Sequence, residues 1–256
     1  MKAKALEYTQ QGIKARGRGD FEVAETNFKK ALTIFQELKD EPRIAEQYFH
    51  LGKTAQDRSE HNFSEIKNAK MHYEKALSLF EKLNLAEGMA VTTHNLGVTA
   101  LLQRDFPVAE ELFLRSLHYK KLLNDEHSAA FTYQRLGMLA QRQGEYSKAE
   151  DFYRLSLALV KKYGDEHSAG QVYGQLGDMN GECGHFENAG ICFINSIIAF
   201  LHTNDEKQAQ RSTDFFFKAL YESDVNTQKN LRNHWEQSLG SVAPLEELEK
   251  LRGKEQ

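Results

Sequence analysis

Two clusters of carboxylate and imidazole, Asp125-Glu126-His127 and Asp165-Glu166-His167, have the residue types to hold a metal or move a proton. Such a set offers oxygen and nitrogen ligands, or a base beside an orienting partner. Each cluster continues into Ser-Ala, and the copies stand 40 residues apart, which suits equivalent helix starts better than one ligand set. Ten histidines occur, none in a His-Glu-x-x-His pattern. Cys183 and Cys192 form no recognised ligand or nucleophile–base pattern in sequence and read as packing residues. Gly17 and Gly19 make no phosphate-binding loop, and no Gly-x-Ser-x-Gly is present. Arg18-Gly19-Asp20 matches the integrin tripeptide and Asn62-Phe63-Ser64 a glycosylation sequon, but no apolar signal segment opens the chain. No catalytic constellation, metal site or cofactor motif emerges.

The spacing of the two clusters belongs to a larger pattern. Leu-Gly pairs stand at 51–52, 96–97, 136–137 and 176–177, and Gly12 extends the series. Tyr8, Tyr48, Tyr133 and Tyr173 precede the glycine by four, and Ala15, Ala55, Ala100 and Ala140 follow it by three. Further on come Ala24, Ala109, Ala149 and Ala189, then Phe28, Phe113, Tyr153 and Phe193, then Ala31, Ser116, Ser156 and Ser196. In the second repeat those columns are Ala69, Tyr73 and Ala76, displaced by five, which explains the single interval of 45 among intervals of 40.

Each period reads as two helices, with apolar residues recurring at three and four, as in 127–143 and 147–162. Gly144 and Gly184 fall in the turn between them, where a left-handed residue is needed. Asp40, Asp125, Asp165 and Asp205 stand where an aspartate caps the next helix. The order Tyr, Leu-Gly, Ala, Gly, Phe/Tyr, Ala, Phe/Tyr, Ala/Ser resembles the tetratricopeptide repeat, in a 40-residue version similar to kinesin light chains, LGN-type adaptors and bacterial arrays. The resemblance implies an all-α fold, a right-handed α-solenoid of antiparallel helix pairs.

Five repeats are expected at about 5–40, 41–84, 85–124, 125–164 and 165–204. A degenerate capping repeat follows at 205–240, where Phe217 replaces the signature glycine. Phe215, Phe216, Phe217, Tyr221 and Trp235 supply its apolar contacts or, alternatively, an aromatic end through which copies associate into a homo-oligomeric scaffold. The extra residues of repeat two, 59–63, lengthen a loop or extend a helix by a turn. Residues 241–256 form a charged tail or short helix whose acidic stretch could reach a basic groove.

Hydrophobic residues at 40% and charged ones at 27% exclude wholesale disorder. A net charge of −4 argues against a nucleic-acid partner, and no apolar run is long enough for a membrane span. With two cysteines, a cytoplasmic protein is expected.

A solenoid offers an extended surface lined by the first helix of each repeat. Counted from the glycine column, one stripe holds Gln10, His50, Lys53, Gln56, His94, Asn95, Gln134, Arg135, Met138, Gln141, Arg142, Gln175 and Asp178. Amides can donate to and accept from a peptide backbone, and Lys53, Arg135 and Arg142 can pair with acidic groups. The resemblance to peptide-holding adaptors implies a peptide groove here. The expected function is a non-enzymatic adaptor binding a peptide or helix of a protein partner, with an acidic segment favoured. The alternatives are the self-associating scaffold and a peptide-responsive regulatory receptor.

Overall fold

In each of the first five helix pairs a ring of the second helix lies on the Cα of a glycine in the first. The computed structural model describes residues 1–59, 63–241 and 243–252, and within these the side chains of Phe63, Leu251 and Arg252 are excepted. Every regular element among the described residues is a helix: α1 (Lys2–Gly17), α2 (Phe21–Glu37), α3 (Glu41–Arg58), α4 (Phe63–Lys82), α5 (Ala86–Leu102), α6 (Phe106–Leu122) and α7 (Glu126–Arg142). They continue as α8 (Tyr146–Lys162), α9 (Glu166–Glu182), α10 (Phe186–His202), α11 (Glu206–Glu222), α12 (Val225–Leu239) and α13 (Leu245–Arg252). The helices follow one another in pairs, the α-solenoid arrangement. Two compact units divide the chain, Met1–Arg135 and Leu136–Gln256, with the division inside α7.

In the first unit Phe28, Tyr73 and Phe113 lie on Gly12, Gly52 and Gly97. A Cβ at those glycines would stand 2.6, 2.7 and 2.7 Å from the rings. The three rings are fully buried, and so are Ala24, Ala31, Ala45, Ala69, Ala76 and Ala109 around them. Full burial of a side chain of this size is worth roughly 1.5–3 kcal/mol. Extra length in the second repeat goes partly into α4, which has 20 residues where α6, α8 and α10 have 17. The rest of that insertion, residues 60–62, lies outside the described residues.

In the second unit Tyr153 lies on Gly137 and Phe193 on Gly177, a Cβ again falling 2.6 Å from each ring. The last pair departs from the pattern. Phe217 takes the glycine's place and is buried, and α12 leans onto α10, where Leu231 fills the space above Gly190. Trp235 packs 4.6 Å from Phe216, and Phe215 stacks on Phe193 at 5.6 Å. Of the five aromatics that could have formed an association surface, Phe216, Phe217 and Trp235 are buried within the chain and Phe215 is half-buried. Tyr221 alone of the five stays exposed, at 55%.

The described part of the tail forms the short helix α13 and folds onto α12. The Trp235 indole donates to the Ala243 carbonyl at 2.8 Å, Arg232 pairs with Glu249 at 2.8 Å, and Leu245 is buried.

Turns between helices close both neighbours at once. Asn124, Gly164 and Asn204 adopt left-handed φ of 54°, 67° and 56°. The following aspartate amides, Asp125, Asp165 and Asp205, then donate back to the carbonyls of Lys120, Val160 and Phe200, each at 2.9 Å. The same aspartates accept from the backbone amides of Ser128, Ser168 and Gln208 at the start of the next helix. Asp40 does not cap in this way; its carboxylate takes Lys2 at 2.9 Å.

Gly137→Ala should lower the unfolding free energy by about 1–3 kcal/mol in a urea titration, because the methyl meets the Tyr153 ring. Gly181→Ala, in a helix and with nothing within 4 Å of the new Cβ, should instead stabilise by up to about 1 kcal/mol.

Candidate functional site

The stripe expected from the glycine register falls in both units. His50, Lys53, His94, Asn95, Gln134 and Arg135 belong to the first, and Met138, Arg142, Gln175 and Asp178 to the second.

In the first unit the row is tied down rather than simply solvated. Half-buried His50 stacks on Phe28 with ring centroids 4.9 Å apart, and burial, aided by the Arg16 charge, pulls its imidazole down to about 4. Lys53 pairs with Asp57 at 2.8 Å. The Asn95 amide donates to the Val91 carbonyl of its own helix at 2.8 Å. Gln134, expected to face a ligand, is buried at 6% exposure.

Beneath His94 lies a polar chain that the stripe did not anticipate. Lys120, on the second helix of its repeat, is 4% exposed. Its ammonium donates to the Ser128 carbonyl at 2.8 Å and to Thr132 Oγ1 at 2.7 Å. Thr132 Oγ1 stands 3.0 Å from His94 Nδ1. An ammonium can only donate, so Thr132 Oγ1 accepts from it and keeps both its own proton and a second lone pair for the imidazole; the tautomer of His94 sets which of the two Nδ1 uses. Burial, reinforced by the charges of Lys120, Arg135 and Lys53, holds His94 down to about 3, which keeps it neutral. Burial also pulls Lys120 down to about 8, against the pull of Asp125.

In the second unit Met138 packs against the cluster of Ala140, Tyr153, Val172, Leu176 and Met179, and Arg142 is exposed. The Gln175 Oε1 is buried with no hydrogen-bond partner. Burial pushes the Asp178 carboxyl up to about 6; Arg211 and Lys218 oppose the shift and Glu182 adds to it.

The acidic–histidine clusters prove structural. Asp125 and Asp165 cap helices, and His127 and His167 sit edge-on to Phe131 and Phe200, each at 5.4 Å. Among the described residues no three His, Cys, Asp or Glu side chains gather as a metal site. Cys183 and Cys192 are both free thiols, and burial pushes Cys192 up to about 11. No helix among the described residues is long and apolar enough to cross a membrane.

The tetratricopeptide repeat family model matches residues 89–162. Those residues carry tetratricopeptide repeats. No curated protein matches it by sequence. Several solved structures share its fold. BtubC (BKLC) from P. vanneervenii superposes with a TM-score of 0.60 at 21% identity, over 85% of this chain and 80% of that one. A Rap protein complexed with Competence and Sporulation Factor gives 0.74 at 16% identity, over 92% of this chain and 64% of that one. The STAND protein PH0952 from Pyrococcus horikoshii, which has a tetratricopeptide repeat sensor, gives 0.75 at 16% identity, over 93% of this chain and 36% of that one. This chain therefore spans less than two thirds of the Rap and STAND proteins it resembles.

Within the repeats, two pairings had a readable signal. Tyr73 donates to Gln56 at 2.6 Å and Tyr153 to Gln141 at 2.8 Å. These are the two repeats with tyrosine in the ring column, and both carry glutamine four residues after the glycine; repeats with Phe28, Phe113 and Phe193 carry Arg16, Leu101 and Gly181 there. Lys120 had a signal too, since its column holds Phe35, Phe80, Val160 and Phe200 in the other repeats. A lone lysine in an apolar column must be buried with partners or break the packing.

Lys120 titrates near 8 in the folded chain against an ordinary 10.5, so the unfolded chain binds more protons between those values. Stability of the wild type should rise relative to Lys120→Met as pH climbs through that window, read from urea midpoints. Asp178 has the opposite sign. Its folded value near 6 lies above 3.8, so its contribution to stability is lost as pH rises through 6. Asp178→Asn should gain on the wild type over that rise in the same titration.

Proposed function

We propose that this protein is a non-enzymatic interaction module that holds an extended segment or helix of another protein along the first helices of its repeats. The observation that carries this reading is the charge arrangement of the first unit. Lys53, paired with Asp57, buried Lys120 and Arg135 all lie close enough to His94 for their charges to act on it, in a chain whose net charge is −4. Cations gathered round one imidazole suit capture of an acidic partner segment by charge pairing and hydrogen bonds. The Rap protein seen with Competence and Sporulation Factor, and the repeat sensor of the STAND protein, use the same fold in binding or sensing roles.

Glutamate-rich decapeptides, titrated by fluorescence anisotropy at two salt concentrations, test the reading. Binding should weaken with salt, and Lys53→Glu combined with Arg135→Glu should cost at least about tenfold in affinity. Unchanged affinity in that double variant would remove the site.

A further inference from the structure

Lys120 has no counterpart in the other repeats, and its burial calls for a reason. A phenylalanine or valine at its position, as in the other repeats, would fill the same space without desolvating a charge. The ammonium instead ends a chain of hydrogen bonds that runs outward, from Nζ to Thr132 Oγ1 at 2.7 Å and on to His94 Nδ1 at 3.0 Å. With the Thr132 hydroxyl donating to Nδ1 while it accepts from Nζ, the chain runs in one direction and leaves the ring proton on Nε2, the nitrogen the threonine does not use. His94 is half-buried, on the first-helix row, and its ring is held by a tilted contact with Phe113 at 5.7 Å.

We propose that His94 Nε2–H is the donor to a carboxylate of the bound partner, and that Lys120, buried behind it, makes this position select an anionic group over a neutral one. The inference rests on the reading of the first unit as a binding row, and it names the ligand chemistry and the residue that chooses it. A neutral imidazole donates equally well to an amide carbonyl or a carboxylate, so by itself it does not discriminate. A fixed positive charge relayed through Thr132 does, because hydrogen-bonded dipoles in a poorly solvated site align with it. Other charges face the same group. Asp125, at the turn before α7, favours the Lys120 cation, while Arg135 on α7 and Lys53 on α3 add positive potential at His94.

The test is a pH series from 6.5 to 9.5 on the full chain, with labelled hexaglutamate and hexaglutamine peptides as probes. Hexaglutamate should bind more tightly than hexaglutamine below pH 8, and its advantage should fall by about tenfold as Lys120 deprotonates. Lys120→Met should bind hexaglutamate about tenfold more weakly at pH 7 and show a flat profile, with a urea midpoint showing that it is folded. Nitrogen-15 imidazole spectra should show His94 as the Nε2–H tautomer in the wild type. Hexaglutamate binding that is flat in pH, and equal in wild type and Lys120→Met, would overturn the role of Lys120 while leaving the binding row intact. No hexaglutamate binding at any pH would overturn the row and the proposal together.

Discussion

The contact of an aromatic ring with a bare Cα governs this structure. Phe28, Tyr73, Phe113, Tyr153 and Phe193 each lie where the glycine of the partner helix has no side chain, at a distance no Cβ could tolerate. Because the ring is fully or almost fully buried each time, the contact sets how closely the two helices of a pair approach. A common approach distance lets the alanine columns meet in register within each helix pair. Where the contact is lost, at Phe217, the regular pairing is lost too: α12 leans onto α10 through Leu231, and buried Trp235 packs on Phe216 and Phe217.

Turns keep that register by economy of groups. One aspartate amide ends the helix before it and the same residue's carboxylate starts the helix after it, so a three-residue link leaves few backbone groups unpaired. Histidines beside those aspartates then pack on rings. Carboxylate–imidazole proximity arises here from helix capping rather than from chemistry, which is why a suggestive cluster recurs at a fixed interval.

Against so regular a frame, polar groups that break a column stand out. Lys120 replaces an apolar residue and recruits Thr132 and His94. Gln56 and Gln141 answer the hydroxyls of Tyr73 and Tyr153. Both cases follow one rule: a buried polar atom is kept only with a partner. The tyrosine pairs serve the packing of the repeat itself. The lysine chain points toward the first-helix row, and it gives that row a local chemistry unlike the average of the chain.

The fold was legible in the residue order because period, glycine, ring and alanine are local requirements repeated five times, and the left-handed turn glycines Gly144 and Gly184 were part of the same record. The candidate site was legible only as a stripe. Register says which side of a helix a residue occupies, but not how deeply its neighbours cover it, so Gln134 was expected on a face and is buried, and Met138 packs into a cluster. Only tertiary structure joined Lys120 to His94 across 26 positions of sequence, and laid the described part of the tail on α12. Hydrogen bonds of that kind depend on which helices pack, and burial sets the proton affinity of each group they link. By itself, then, the sequence determined a stack of ring-on-glycine helix pairs; packing decided which of its polar residues stand together and in what state of charge.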